Sequence, residues 1–133
     1  MGLLSGTDVV ISVHGAQMTN IIFMSPGSRV MEMLPKGWQK HAGVGYLVFQ
    51  WISDWIGLVH EGHWEDSEGP DCPFPDINGD RRCFMFFKNR EVGLNATHLG
   101  EWTHKVLRNF VQDNTGLQKE VRQQTQQCAC GAD

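Results

Sequence analysis

A His-Gly-Ala triplet follows an apolar run near the start of the chain, and its residue types suit the binding of an anion. The run is Val9–Val13, and the triplet is His14-Gly15-Ala16. An imidazole can donate a hydrogen bond to a phosphate oxygen. A glycine has no Cβ and lets a ligand approach the backbone closely, and the small alanine keeps the same path open. The triplet therefore predicts a cradle for a pyrophosphate group.

Such a cradle requires a strand before the triplet and a helix after it. The β-branched run is typical of a parallel-sheet strand that is covered on both faces. The segment Ala16–Met24 is predicted to form a helix, and the first N–H groups of a helix favour an anion. Thr19 and Asn20 lie near its start and can add side-chain donors. In open α/β sheets, ligands bind beyond the carboxyl ends of the strands, where this triplet lies.

A structural interpretation of the triplet stays open beside the functional one. Glycine is common in strand-to-helix turns. A single histidine at the end of a strand is more often held by structural hydrogen bonds than by a ligand. The residue types alone do not decide between the two interpretations.

The remaining pattern predicts an α/β class. Arg29–Leu34 is predicted as a second strand, so the chain opens with a strand, a helix and a strand. Helical spacing of apolar residues predicts an amphipathic helix over 44–56, with Trp51 and Trp55 in the core. Stacking of these two rings on sugars is the alternative. We also expect a short strand at 58–60, a loop over 61–79, a strand at 83–88, a helix over 95–113 and a polar, disordered tail over 114–133.

Two clusters outside the triplet have metal-ligand residue types, but another interpretation is favoured for each. His60 and His63 lie three residues apart in an acidic segment. We predict a solvated loop there, because a metal site needs a rigid frame. Zinc binding by the four cysteines fits poorly, since Cys128 and Cys130 lie in the polar tail. We therefore expect no metal site.

Two features are typical of proteins of the secretory pathway. Cys72 and Cys83 bracket a loop that is rich in Pro, Gly and Asp, and a disulfide between them is predicted. Two free thiols of a cytosolic protein are the alternative. Asn95 begins an Asn-Ala-Thr triplet, which is an acceptor for N-glycosylation, although such triplets also occur by chance.

Composition and charge exclude several classes of protein. The chain has 133 residues, 41% hydrophobic content and a net charge of -4 without a basic stripe, so nucleic acid is not an expected partner. No apolar run reaches the roughly 18 residues that span a bilayer, and residues 1–24 lack the features of a signal peptide. The chain starts almost directly on a predicted buried strand and has few strands for its helices. We therefore expect an incomplete domain.

The segment Thr7–Trp38 resembles the carboxyl-terminal catalytic signature of glycosyltransferase family 61. In that family, a strand ends in His-Gly-Ala, a Thr-Asn pair and a Phe-containing stretch follow, and a Pro-Gly turn leads to a strand that contains Glu. Later segments, including 72–83 and the helix from Asn95, resemble plant members, so the resemblance covers about residues 5–112. The matching signature residues are His14, Gly15, Ala16, Thr19, Asn20, Phe23, Pro26, Gly27 and Glu32.

The resemblance implies a fold and a reaction. Members have the GT-B fold, in which a UDP-sugar lies between two Rossmann-like lobes, and they reside in the secretory pathway, many as Golgi enzymes with one membrane anchor. They transfer xylose or arabinofuranose onto xylan, xylose onto N-glycans, or N-acetylglucosamine onto proteins. Residues 1–113 would then form a partial Rossmann-like lobe, part of the donor-binding lobe, and the other lobe and the anchor would lie outside this chain.

The resemblance also assigns roles to residues. His14 is the predicted catalytic residue. With the backbone of Gly15–Gln17 and with Thr19 and Asn20, it would stabilise the diphosphate as UDP leaves. Glu32 would hydrogen-bond ribose or sugar hydroxyls, with a surface carboxylate as the alternative. A site of this kind neutralises the diphosphate without a metal ion or other cofactor, and the general base is not identifiable in this chain.

One position departs from the family pattern. Members commonly have Gly where this chain has Gln17, whose side chain is expected either to narrow the approach to the diphosphate or to add a hydrogen bond. Trp64 is the candidate for contact with a glycan or glycoprotein acceptor. A truncated or degenerate copy that at most binds UDP is the alternative function. A stand-alone nucleotide-binding module is a third, which the predicted buried strand at the amino terminus disfavours.

Overall fold

Parallel strands and short helices alternate along most of the chain. The computed structural model describes residues 4–75, 81–93 and 95–129. The chain divides into two units, Met1–Asn95 and Ala96–Asp133. The elements in chain order are β1 Val9–Val13, a 3₁₀ helix Ala16–Phe23, β2 Arg29–Leu34, α1 Trp38–Ala42, a second 3₁₀ helix Gly43–Leu47, α2 Val48–Ile56, β3 Val59–Glu65, α3 Arg82–Lys88 and α4 Ala96–Ala129.

The sheet is small, open and entirely parallel among the residues described. Its strand order is β1-β2-β3. All six residues of the central strand β2 are buried, as expected for a strand that is covered on both faces. The predicted strands at Val9–Val13 and Arg29–Leu34 and the α/β class are confirmed. The prediction that Val9–Val13 is buried on both faces is wrong, because β1 has one neighbouring strand among the described residues and its Ile11 is exposed. The sheet is compatible with part of a Rossmann-like lobe.

The connection between β1 and β2 is a 3₁₀ helix rather than an α-helix. Its buried side chains, Met18 and Ile21, are followed by the buried Met24, so burial recurs every three residues, which is the period of a 3₁₀ helix. The N–H of Met18 donates to the carbonyl of Gly15 at 2.9 Å and closes its first turn. The prediction of a helix is confirmed, and its type is corrected.

The predicted helix over 44–56 is divided, and its buried face differs from the prediction. A 3₁₀ turn over Gly43–Leu47 precedes α2. Phe49 and Ser53, four residues apart, face the core, and the Ser53 hydroxyl is satisfied by the Phe49 carbonyl at 2.7 Å. Trp51 and Trp55 are 52% and 88% exposed. The prediction that these tryptophans lie in the core is therefore wrong.

The third strand is longer than predicted and contains a bulge. β3 extends to Glu65, so the expected loop over 61–79 is wrong in its first part. The register pairs Val30 with His60 and Glu32 with His63, so two residues of β3 lie opposite Met31. Gly62, in this bulge, has φ +88°, a left-handed conformation that glycine adopts without steric cost.

The segment predicted as a strand at 83–88 is an α-helix, α3. Cys83 and Phe87 are its buried residues, and their spacing of four places them on one helical face. Phe87 packs against Gly37, where an added Cβ would lie 2.9 Å from the ring. The short apolar run did not distinguish a buried helix from a buried strand.

The last helix, α4, extends well beyond the predicted end at Asp113. It continues to Ala129, through the segment that was expected to be a disordered tail over 114–133. Gln, Lys, Glu and Arg dominate this segment, and all four have good helix propensity. The boundary between the two units lies after Asn95. The domain bounds of 1–113 and 114–133 stay a prediction. None of the described helices is both long and apolar enough to cross a bilayer.

Two apolar clusters of the first unit leave a polar position between them. Val30, Glu32 and Leu34 alternate along one side of β2. Val30 belongs to a cluster with Met18, Ile21, Met24, Phe49 and Leu58. Leu34 belongs to a cluster with Trp38, Cys83 and Phe87. Glu32 therefore lies in the interior, between the two clusters.

Candidate functional site

A cavity of about 480 Å³ lies at the carboxyl ends of β1 and β2. The turn from Val13 to Gln17 forms one part of its wall, and residues of and after α3 form another. This is the place where open parallel sheets bind ligands. The lining residues that carry polar chemistry or shape the entrance are His14, Gly15, Gln17, Trp38, Lys88 and Arg90.

The His14 ring is held firmly beside this cavity. Its backbone N–H continues the sheet by donating to the Met33 carbonyl at 2.8 Å. Its ring packs against Trp38 and Phe49, with centroid distances of 5.1 and 5.0 Å. Its Nδ1 is hydrogen-bonded to Oε1 of Glu32, which leaves Nε2 as the nitrogen available to a ligand.

Glu32 is fully buried and bridges two imidazoles. Oε1 contacts His14, and Oε2 lies 3.0 Å from Nε2 of His60. Burial raises the pKa of Glu32, but the hydrogen bonds and charges of His14 and His60 together outweigh burial and hold the pKa below its ordinary value. The carboxylate is therefore ionised at neutral pH.

The structure places Glu32 in surroundings that differ from the predicted ones. Glu32 has 0% exposure and does not line the cavity. We expected it to contact ribose or sugar hydroxyls, or to be a surface carboxylate. Its two oxygens instead face His14 and His60, because Glu32 points from the central strand into the space between the apolar clusters. The surface-carboxylate alternative is therefore wrong, and Glu32 contacts the catalytic candidate His14.

The Gly15–Gln17 turn lies at the cavity, but a side chain covers part of it. Gly15 has extended backbone angles. The Gln17 amide folds back over it, and Nε2 of Gln17 donates to the Val13 carbonyl at 2.8 Å. A Cβ on Gly15 would lie 2.5 Å from Oε1 of Gln17. The space that a glycine at position 17 would leave open is therefore occupied by the Gln17 side chain.

The side chains of Thr19 and Asn20, which were predicted to contact the ligand, bond to the backbone of their own helix instead. Thr19 Oγ1 donates to the Ala16 carbonyl at 2.6 Å, and Asn20 Nδ2 donates to the Gln17 carbonyl at 3.0 Å. Neither residue lines the cavity. Side chains of this kind often bond to carbonyls three residues earlier. Of the predicted ligand-binding set, Gly15, Ala16 and Gln17 lie at the cavity beside His14, and Thr19, Asn20 and Glu32 do not.

Sequence reasoning missed two cations that line the same cavity. Lys88 ends α3, and Arg90 follows it. The Arg90 guanidinium is fixed by the Glu68 carbonyl at 2.6 Å and the Pro70 carbonyl at 3.3 Å. No local signal connects these residues with position 14. They reach the cavity because Cys83–Phe87 is a helical face that packs beside Trp38.

The predicted disulfide is present and fixes the segment before these cations. Cys72 and Cys83 are bonded, with Cα atoms 5.5 Å apart. Cys83 is a buried residue of α3, so the bond ties the loop after β3 to the helix that carries Lys88. The Cys130 thiol of the rejected zinc site lies outside the described residues.

The other residues that were predicted to carry chemistry do not line the cavity. His63 bonds to Gln39 at 2.6 Å, whereas His60 bonds to Glu32. In the described part of the chain, no three His, Cys, Asp or Glu side chains are grouped to hold a metal ion. Trp64 is half-buried in β3 and pairs with Met33. Asn95 is exposed directly before α4.

A larger, more open hollow of about 920 Å³ shares one wall with the candidate site. Arg90 lines both. The other lining of the hollow combines Arg81 and Arg82 with apolar residues such as Phe74 and Met85. None of the predicted site residues lines it. The smaller cavity therefore remains the candidate site.

The candidate site has the chemistry of an anion-binding pocket. It combines a helix start, an imidazole and two cations in a chain whose net charge is -4. The buried indole N–H of Trp38 has no hydrogen-bond partner among the described residues. Comparisons of the chain with protein-family models, with curated proteins and with solved structures found no match.

Proposed function

We propose that this chain binds the diphosphate of a UDP-sugar in the cavity beside His14, as part of the donor-binding lobe of a GT-B glycosyltransferase. The observation that carries the proposal is the meeting of the His14–Gln17 turn with Lys88 and Arg90 around one cavity at the carboxyl ends of parallel strands. Cations and a helix start on two sides of a cavity suit a group with two negative phosphates. The resemblance of Thr7–Trp38 to family 61 names the donor class.

In the proposed reaction, an acceptor hydroxyl of a glycan or glycoprotein displaces UDP from the anomeric carbon of a pentose or of N-acetylglucosamine. The hydroxyl proton passes to a general base that is not among the residues assigned in this chain. Negative charge grows on the leaving diphosphate. Lys88, Arg90 and the N–H groups at the helix start stabilise this charge where it develops, which lowers the barrier. His14 takes part through Nε2. No metal ion is needed for this neutralisation.

The secretory pathway is the proposed location, with the Golgi lumen as the compartment that the family resemblance suggests. The disulfide between Cys72 and Cys83 supports an oxidising compartment. The exposed Asn95 in its Asn-Ala-Thr triplet is consistent with glycosylation there.

Titration of the full chain with UDP-xylose and with UDP-N-acetylglucosamine by calorimetry tests the proposal. We expect saturable binding that weakens about tenfold or more in Lys88→Gln, because a charge-assisted contact is worth roughly 1.5–3 kcal/mol. His14→Ala is expected to weaken binding as well. Lys40→Gln is the matched control, since Lys40 is exposed on α1 and does not line the cavity. Equal affinities for the Lys88 and Lys40 variants, both folded by circular dichroism, would reject the site.

The Gln17 side chain favours the second function, a degenerate copy that binds UDP without catalysis. It covers Gly15, where the diphosphate of an active donor site would approach. Gln17→Ala is expected to tighten UDP-sugar binding by about threefold to tenfold, or roughly 0.7–1.4 kcal/mol. Gln112→Ala, which changes an exposed glutamine of α4, should leave the affinity unchanged. Weaker binding by Gln17→Ala would instead identify Gln17 as a ligand contact and remove this support for the second function.

A further inference from the structure

We infer that the larger hollow of about 920 Å³ binds the acceptor, and that this acceptor is a glycan that carries a uronic acid. The inference rests on the proposed function, because an acceptor is needed only if the neighbouring cavity holds a UDP-sugar. It goes beyond that function by assigning a second site and the charge of its ligand. The position of the hollow, its charge and its side-chain contacts support it.

Helix α3 separates the larger hollow from the cavity beside His14. Phe84 and Lys88, four residues apart, line the cavity. Four residues with the spacing of another helical face line the hollow instead: Arg82, Met85, Phe86 and Asn89. Arg90 lines both spaces. A ligand in the hollow therefore lies beside the donor diphosphate, where an acceptor hydroxyl has to approach the anomeric carbon.

The charge of the hollow is opposite in sign to that of the whole chain. Among the described residues that line it, Arg81, Arg82 and Arg90 are basic and Glu91 is acidic, whereas the chain has a net charge of -4. A guanidinium matches a carboxylate with two parallel N–H bonds. The hollow therefore favours a ligand with a negative charge over a neutral one.

The apolar part of the wall suits a sugar ring better than a small inorganic anion. Phe74, Met85 and Phe86 line the hollow, and the C–H groups on the faces of sugar rings pack on aromatic and apolar side chains. Trp64, the acceptor contact expected from the sequence, does not line the hollow. Arginines beside apolar side chains thus fit a glycan that bears a carboxylate.

Two of the arginines are placed before a ligand arrives. The guanidinium carbon of Arg81 lies 5.3 Å from the centre of the Phe84 ring, and that of Arg82 lies 4.8 Å from the centre of the Phe74 ring. The disulfide ties the segment that contains Phe74 to α3. Side chains that already pack on a ring lose less freedom when they bind, so the ordering cost of binding is smaller.

Two matched oligosaccharides test the charge of the ligand. The acidic probe is a xylose oligosaccharide that carries one glucuronic acid, and the neutral probe is the same molecule after reduction of its carboxyl group to an alcohol. Calorimetric titration of the full chain should give about tenfold tighter binding of the acidic probe, because a charge-assisted contact contributes roughly that factor. Added salt should narrow the difference, since it screens exposed charges.

Three substitutions separate the hollow from the donor cavity. Arg81→Gln and Arg82→Gln change exposed residues and should each weaken binding of the acidic probe by about threefold to tenfold. Both should leave the affinities for the neutral probe and for UDP-xylose unchanged. Lys88→Gln should weaken only UDP-xylose, because Lys88 lines the cavity and not the hollow. Arg108→Gln is the matched control, since it changes an exposed arginine of α4.

The outcomes distinguish a failure of this inference from a failure of the proposed function. Equal affinities for the two oligosaccharides, or no binding of either, alongside binding of UDP-xylose would overturn the inference and leave the donor site intact. Tighter binding of a polyglutamate peptide than of the acidic probe would assign the hollow to an acidic polypeptide and also overturn the inference. No binding of UDP-xylose would overturn the proposed function and, with it, the acceptor role of the hollow.

Discussion

Glu32 is a buried residue that connects the candidate site with the interior of the sheet. Its carboxylate lies in the interior and is bound by His14 and His60, so its effect on a ligand in the proposed site would pass through His14. A buried carboxylate that keeps its charge depends on its hydrogen bonds, and its stability contribution must change with pH.

The pH dependence of folding gives a test at this scale. The pKa of Glu32 lies below 4.5 in the folded chain, so its contribution is present above pH 4.5 and is lost as the pH falls through the folded pKa. At pH 7, Glu32→Gln is expected to lower the free energy of unfolding by about 1–3 kcal/mol. This difference from the wild type should narrow below pH 4.5.

Urea unfolding at a series of pH values checks this expectation. His63→Gln should follow the wild-type curve with a constant offset, because His63 does not contact Glu32. A constant difference between Glu32→Gln and the wild type across the same pH range would contradict the assigned role of the carboxylate.

At the residue scale, the position of the His14-Gly15 turn could be predicted from the sequence, but the residues that surround it in the structure could not. His14 and Gly15 could be placed at a strand end because the β-branched run before them is local. Glu32 could not be assigned to His14, since the pairing of Ser12 with Glu32 depends on the parallel register. Lys88 and Arg90 are separated from the turn by most of the first unit, and only the packing of α3 brings them to the cavity.

At the scale of elements, α2 explains why helical periodicity alone failed. The apolar residues of this helix lie on one broad face, and the structure covers only one side of that face, so periodicity alone does not tell which of them are buried. The structure buries Phe49 and partly buries Ile52 and Ile56, while Trp55 faces solvent. In the same way, the short apolar run of α3 has no alternation that marks it as helix or strand.

Two substitutions in α2 compare the helix face that the structure buries with the face that the sequence predicts to be buried. Phe49→Ala is expected to lower the free energy of unfolding by about 3–5 kcal/mol, because Phe49 is 4% exposed in the core. Trp55→Ala should change it by no more than about 0.5 kcal/mol, as expected for a surface position. Thermal unfolding of both variants is the measurement. A larger loss for Trp55→Ala than for Phe49→Ala would restore the predicted tryptophan core.

On the scale of the whole molecule, the proposed site belongs to one unit. Its lining residues come from β1, the first 3₁₀ helix, α1, α2, α3 and the segment after α3, all within Met1–Asn95. A ligand bound there contacts segments from both ends of that unit and should stabilise it against unfolding.

Ligand linkage therefore gives a test that needs no activity. At a free UDP-sugar concentration of 100 times Kd, binding to the folded chain alone should raise the free energy of unfolding by about 2.7 kcal/mol. Differential scanning calorimetry should record this as a higher Tm. Uridine, which lacks the diphosphate, should give a much smaller shift in Tm. The His14→Ala variant should lose most of the shift that UDP-sugar causes in the wild type. A Tm unchanged by saturating UDP-sugar would contradict binding.

The bulge in β3 also affects how related sequences should be aligned with this one. Neighbouring partners in a sheet share a face, so the pairs Val30–His60 and Glu32–His63 place both histidines on the same side of the sheet, although they are three residues apart. The alternation of β3 thus changes phase at Gly62. A relative without this glycine, shorter by one residue, would align correctly only with a gap at this position. Without that gap, every inward residue after it would be matched to an outward one.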